Sequence, residues 1–410
     1  MGIDTAAVLF VLGVLAVAAF ALLRHRREIT ASAITAPDRL RRAATQLRTG
    51  LEPKQGGAVN PKAAELYEEL GAVMQELSLR SVDAEAPDEA ISSYRQAAGA
   101  FRANGRRMKG DEVESHLGLV LYDFGLRTVE SANLRECEQL LANSLAPRKG
   151  KWPFRLPREF YQAARAGALA RLGTRLGDES LLWDALPLCA PSRKNTSSAK
   201  KFKPPLFAVD AVAGGALAVI GHALGDRSVL IDAIEANRRA IKTKKGLGVP
   251  HMLAASQDEL AKALAALGEL DQKPAMLQEA IQVFDESLGN LDVGERPVSW
   301  GEVQINKGRA LTALGKLGKD PAILSGALVS FQDALGVFST ESAPYLRADA
   351  LDALGDALFA LASLRKDTDI AGLAADAFRK AEAILQGGDL TGALARVRGN
   401  IETAEALCRG

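Results

Sequence analysis

Residues 308–334 decide the fold, and they read GRALTALGKLGKDPAILSGALVSFQDA. In the first half, small and long apolar residues recur at spacings of three and four: Gly308, Leu311, Leu314 and Gly315. In the second half, apolar residues follow at positions i, i+4 and i+7: Ala327, Phe331 and Ala334. Both spacings place the residues on one face of a helix. The stretch therefore predicts two helices joined by a short turn, with small residues that allow their backbones to approach closely.

The same pattern recurs along the chain with a period of 47 or 48 residues. We align the units on the position of Gly315, called the anchor, which is occupied in turn by Ser78, Gly125, Gly173, Gly221, Gly268, Gly315 and Ala362. One helical hairpin cannot bury its own apolar face, so successive units must stack. The sequence predicts about seven stacked hairpins over residues 61–410, with residues 390–408 as a closing helix.

This pattern resembles the tetratricopeptide repeat (TPR). The match is clearest where a leucine–glycine pair is followed by Ala at +12, an aromatic residue at +16 and a small residue at +19: Leu267, Gly268, Ala280, Phe284 and Ser287. The period departs from the family's, which is about 34 residues. The resemblance implies an all-α, right-handed α-solenoid, whose concave groove is lined by the first helices and binds protein segments. The groove positions it implies are His222, Lys262, Glu269, Arg309, Lys316 and Asp356.

The N-terminal stretch Thr5–Leu23 contains no charged residue. Nineteen helical residues span about 28 Å, close to the thickness of a bilayer core. Arg24, Arg26 and Arg27 follow it, and the positive-inside rule then places the N-terminus outside and the repeats in the cytoplasm. The sequence thus predicts one transmembrane helix in a single-pass membrane protein (of the inner membrane in a bacterium). A cleaved signal peptide is the alternative.

This interpretation divides the chain into three parts. Residues 1–27 are the predicted membrane anchor with its basic flank, residues 28–60 a basic juxtamembrane linker, and residues 61–410 the repeat domain.

Charge is unevenly distributed, although the net charge is only +1. Residues 1–245 hold 36 Lys and Arg against 27 Asp and Glu, whereas residues 246–410 hold 15 against 23. Loops between the early units carry clusters of cations, and equivalent loops of a stacked array line up along one edge. The residues of this predicted basic edge are Arg148, Lys149, Lys151, Arg193, Lys194, Lys200, Lys201, Lys203, Lys242, Lys244 and Lys245. A ridge of one sign attracts partners of the opposite sign.

Signatures of catalysis and of cofactor or metal binding are not found. The three cysteines are far apart, and the four histidines have no metal-ligand spacing. Phosphate-binding, zinc-protease and serine-hydrolase motifs are absent from the sequence. We therefore expect no catalytic residues, no cofactor, no metal and no enzymatic activity, with an undetected enzyme as the minor alternative.

The combined features predict a membrane-anchored scaffold or adaptor that binds protein partners at the cytoplasmic face. Those partners are expected to be membrane-associated, with contact to anionic lipid through the basic flank and loops. Nucleic acid is the weakest candidate, because no known nucleic-acid-binding motif accompanies the basic residues. The alternative is an envelope-assembly factor that binds client proteins, similar to TPR proteins of cytochrome maturation or lipopolysaccharide control.

Overall fold

The computed structural model describes residues 37–52, 62–80, 85–147, 152–154, 156–190, 206–244 and 250–409. Regular structure within these ranges is entirely helical. The helices are α1 Pro37–Leu51, α2 Ala63–Arg80, α3 Ala86–Ala103, α4 Arg107–Gly125, α5 Ala132–Leu145, α6 Arg158–Leu176, α7 Glu179–Ala185, α8 Leu206–Leu224, α9 Arg227–Lys244, α10 Pro250–Leu270, α11 Pro274–Gly289, α12 Pro297–Gly318, α13 Pro321–Val337, α14 Pro344–Arg365, α15 Thr368–Leu385 and α16 Thr391–Arg409.

These helices form seven consecutive hairpins, from α2–α3 to α14–α15. Helix α16 packs on α15 after the last hairpin, and α1 packs on α2 before the first. Leu40 and Ala44 of α1 are buried in the same apolar cluster as the first two hairpins. The all-α class and the stacked hairpin repeats predicted from the sequence are confirmed, and the architecture is consistent with a TPR-like solenoid.

The strip of small residues explains why each hairpin closes tightly. A Cβ atom placed at Gly308 would lie 2.5 Å from Cε1 of Phe331, and one at Gly355 would lie 2.6 Å from Cε1 of Phe378. Both rings are buried and occupy the space that a side chain would take. The aromatic ring at position +16 thus packs directly on the small residue seven positions before the anchor, with the close contact that is typical of protein interiors.

A recurring turn joins the two helices of the later hairpins. Lys319 and Lys366 both have a left-handed backbone, with φ of 50° and 54°. The next residue is an aspartate that caps the second helix: Asp320 accepts from the backbone N–H groups of Ala322 and Ile323 at 2.8 and 3.3 Å. This is the usual N-cap interaction, in which a side-chain oxygen satisfies free helix donors. Each turn thus reverses the chain within five residues.

Unit 3 departs from the others in its second helix. Helix α7 has only seven residues and passes into a 3₁₀ turn, Leu186–Cys189, that contains Pro187. A proline inside a helix removes a hydrogen-bond donor and clashes with the preceding turn, so the α-helix ends before it.

The array completes one superhelical turn, so that its C-terminal units lie on its N-terminal units. Helix α12 contacts α2, and α16 contacts α6. Hydrogen bonds across this contact join residues that are 215, 220 and 258 positions apart, or about five units of the array. We call this contact the seam. First helices lie on the inside, where those of neighbouring units contact one another, as α8 does α10 and α12 does α14.

The predicted single-pass membrane localisation is corrected by the structure. In the residues that it describes, no helix is both long and apolar enough to cross a lipid bilayer. Their apolar residues are instead used in contacts between helices, as Leu217 and Ile220 of α8 illustrate, since both are fully buried. The span on which the prediction rested, Thr5–Leu23, lies outside the described residues. The expected lipid contact and membrane-associated partners lose their support with it.

Candidate functional site

The six predicted groove residues all lie on first helices, and the structure gives most of them charged neighbours on adjacent units. Arg309 of α12 donates to Asp349 of α14 at 2.6 Å, and Lys316 pairs with Asp356 on the same two helices at 2.6 Å. These ion pairs join residues 40 positions apart, one unit along the array. They form two rungs between neighbouring first helices.

Lys262 lies deeper on the inner surface. Its Nζ is 3.1 Å from Asp258 and 2.8 Å from Glu259, both on its own helix α10. Asp258 also accepts from the side-chain amide of Asn306 on α12 at 3.0 Å. Lys262 is therefore held in a polar network that spans two units.

His222 and Glu269 lie at equivalent positions, one residue after the anchors of units 4 and 5. Both line a cavity of about 160 Å³ between α8 and α10, together with Leu230, Ala266 and Leu270. Protein groups around this cavity partly desolvate His222 and lower its pKa, although its side chain is exposed to solvent, and the nearby carboxylate of Glu269 acts in the opposite direction. The histidine therefore favours its neutral form at neutral pH, in which one ring nitrogen donates and the other accepts.

A second set of inner residues was not predicted from the sequence, and it centres on Arg127. This buried guanidinium donates to the backbone oxygen of Ser78 at 3.0 Å and stacks over the ring of Phe124 at 5.5 Å. Its own backbone oxygen accepts from the N–H of Tyr345 at 2.8 Å. Arg127 therefore connects units 1, 2 and 7.

Two carboxylates face this arginine from different units. Burial raises the pKa of Asp123, on α4, to about 6, although the charge of Arg127 opposes the shift. Burial likewise raises the pKa of Glu302, on α12, to about 7, again against Arg127. Both acids thus titrate far closer to neutrality than a solvated carboxyl group does.

Arg175 repeats this arrangement one unit later. Its guanidinium donates to the backbone oxygens of Gly125 and Leu126, the second at 2.7 Å, and lies 3.5 Å from the ring centroid of Tyr345. Arg80 occupies the equivalent position in unit 1 and pairs with Glu76 at 2.5 Å. The three arginines share one sequence signal: each stands two residues after the anchor of units 1, 2 and 3, where the later units have Ala or Leu.

The predicted basic edge falls largely outside the described residues. Of its eleven members, only Lys242 has a described side chain, which is exposed near the end of α9, and Lys244 is the last residue of that helix. The members that lie outside the described ranges are Arg148, Lys149, Lys151, Arg193, Lys194, Lys200, Lys201, Lys203 and Lys245.

Other cations at the ends of the early units are described, and they have acidic partners. Arg238 pairs with Glu279 at 3.0 Å, and Lys109 pairs with Glu68 at 2.7 Å. Carboxylates of neighbouring units therefore offset part of the positive charge that the sequence assigned to these regions.

No protein-family model matches the chain, and no curated protein matches it. Among solved structures, one similar chain is a Rap protein complexed with Competence and Sporulation Factor; it is 9% identical, the alignment covers 91% of this chain and 99% of that chain, and the TM-score is 0.36. Another is a circular tandem repeat protein with novel repeat topology and enhanced subunit contact surfaces; it is 16% identical, with 99% and 98% coverage and a TM-score of 0.27. Both scores are too low to support an argument, so the fold assignment rests on the chain's own geometry.

Proposed function

We propose that the protein is a scaffold or adaptor that binds a segment of a protein partner along the inner surface of its first helices. Stacked hairpins present an extended surface to which each unit contributes the same helix face, and such surfaces suit elongated partners. The handedness of the superhelix, predicted to be right-handed, belongs to the same proposal. The proposed function includes no catalytic step.

The exposure of the rungs carries the proposal. The side chains of Arg309 and Lys316 are each 43% exposed, although both are ion-paired, and Asp349 beneath Arg309 is only 15% exposed. A partner that approaches the inner surface therefore meets the guanidinium of Arg309 before its counter-ion. At the other rung it meets both charges of the ion pair, because Asp356 is 47% exposed. Partly exposed ion pairs contribute little to the stability of the fold, so these side chains can pair with groups of a bound protein instead.

A matched pair of double variants tests this surface. R309A/K316A removes two cations from the inner surface. R238A/R379A removes two arginines from second helices; their side chains are 56% and 50% exposed and are likewise paired with carboxylates. Tagged full-length chains are crosslinked in cells, and captured proteins are quantified by mass spectrometry. We expect the inner variant to lose partners that the outer variant keeps. Equal partner sets for the two variants would refute the inner surface as the binding site.

The basic edge is proposed as a second contact surface, for an acidic protein. Its support is the sequence alone: the stretch 193–203 holds five cations and no acid. Alanine at Arg193, Lys194, Lys200, Lys201 and Lys203 should weaken capture of acidic proteins in the same assay, more strongly at low than at high salt. An unchanged set of partners would remove this surface from the proposal.

A further inference from the structure

Polar contacts cross the seam that closes the superhelical turn. Arg296, just before α12, donates to Glu76 of α2 at 2.6 Å, and these two side chains are only 6% and 8% exposed. Thr391 at the start of α16 donates to the backbone oxygen of Leu176 at 3.1 Å. Desolvating ion pairs costs much of what their attraction returns, so such contacts hold two surfaces in register without binding them irreversibly.

Residues 126–131, which follow α4, make the most extensive set of contacts across the seam that the structure describes. Asp389 accepts from both the backbone N–H and the hydroxyl of Ser131, at 2.6 and 2.5 Å. Arg127 accepts from the N–H of Tyr345. Between them, Val129 is buried in the apolar cluster of α14–α16. The segment thus inserts one apolar side chain into the C-terminal units and fixes it by hydrogen bonds on either side.

Two glycines of the C-terminal units allow this approach. A Cβ atom at Gly388 would overlap the backbone oxygen of Val129, and one at Gly392 would overlap the backbone nitrogen of Gly177. Backbones meet directly at these points, and neither site has room for a side chain. The fit is therefore specific to the closed arrangement.

We propose that residues 126–131 form a latch that releases and re-forms, and that its release widens access to the deeper part of the inner surface, around Lys262. Units 1–3 lie on one side of the seam and units 6–7 with α16 on the other, while units 4 and 5 connect them. Small changes of angle at each stacked hairpin are enough to part the two sides, since repeat arrays contact only their neighbours elsewhere.

Amide hydrogen exchange on the full-length chain tests the latch. In G388A, the added methyl group forces Val129 away, whereas the neighbouring change G387A is a matched control, because its nearest atom is 3.4 Å from the new Cβ. We expect the amides of Ser131 and Tyr345, which donate across the seam, to exchange at least roughly tenfold faster in G388A. Amides of α9 and α11, far from the seam, should be unchanged, as should all amides in G387A.

Access to the inner surface is read in the same samples by acetylation of lysines. Lys262 on the inner surface should react faster in G388A than in the wild type, while exposed Lys242 should react equally. Should G388A fail to fold, V129A is read by the same criteria, because it removes part of the inserted side chain without adding atoms.

Unchanged exchange at Ser131 and Tyr345 would overturn the latch, and unchanged labelling of Lys262 would overturn its control of the inner surface. The experiment involves no partner, so its outcome is independent of the partner-capture test of the proposed function.

Discussion

Replacement of Gly308 by alanine tests the small-residue strip on which the whole array depends. The new Cβ would lie 2.5 Å from Cε1 of Phe331, whereas carbon atoms in contact are ordinarily about 3.5–4 Å apart. The ring must therefore move by roughly 1 Å in a fully packed hairpin, and overpacking of this kind costs about 1–3 kcal/mol.

Gly326, on α13 of the same unit, provides the control because nothing lies within 4 Å of a Cβ added there. Both substitutions gain the same helix propensity, about 1 kcal/mol. The difference between the two variants therefore isolates the clash, and we expect G308A to have a free energy of unfolding about 1–3 kcal/mol below that of G326A.

Urea titration followed by far-ultraviolet circular dichroism measures this difference, and exchange of α13 amides assigns it to unit 6. The double variant G308A/F331L should recover part of the loss, since a smaller side chain at 331 makes room for the methyl group. Equal stabilities of G308A and G326A would refute the reasoning, because the small residue would then have no packing role.

Three further predictions concern the seam and the turns. R175M leaves the carbonyls that Arg175 caps without a donor and removes its contact with the Tyr345 ring; thermal or urea unfolding should show a loss of about 2–4 kcal/mol. The free energy of unfolding should fall as pH rises from about 5 to 8, because folded Glu302, with a pKa of about 7 against an ordinary 4.5, retains a proton that the unfolded chain releases. E302Q should flatten this pH dependence, and an unaltered profile would contradict the assignment. D320A should cost about 1 kcal/mol while D320N costs little, since asparagine caps a helix equally well.

The hairpins could be predicted from the sequence because their determinants are local. Gly308 and Phe331 are separated by 23 residues within one unit, and the spacing that pairs them recurs in most units. Helical periodicity then reports directly which residues share a face. The turn chemistry at Lys319 and Asp320 is equally local but was not predicted, because it lies in polar residues between the helices and not in the apolar periodicity.

The seam could not be predicted in the same way. Its contacts join Ser131 to Asp389 and Glu76 to Arg296, and their pairing depends on the pitch of the superhelix, which small angles at every hairpin determine together. The arginines two residues after the first three anchors were a visible signal. Their meaning required knowing that the first three units face the last ones.

The groove residues could be predicted only in part. Their placement on first helices followed from the family resemblance, but their partners did not. The spacing of 40 residues between Arg309 and Asp349 reflects how far one unit is displaced on the next, and this displacement is a property of stacking rather than of one helix.

The contact between the two ends of the superhelical turn also constrains how the chain can evolve. An open array can gain or lose a repeat at little cost, because each module touches only the one before and the one after. In this chain, a repeat inserted or deleted between Leu176 and Thr391 would displace Asp389 and Gly392 from the residues that they contact across the seam. The number of repeats is therefore tied to the length of one superhelical turn. Duplication, the usual route by which such proteins lengthen, is restricted to regions outside the stretch that the seam encloses.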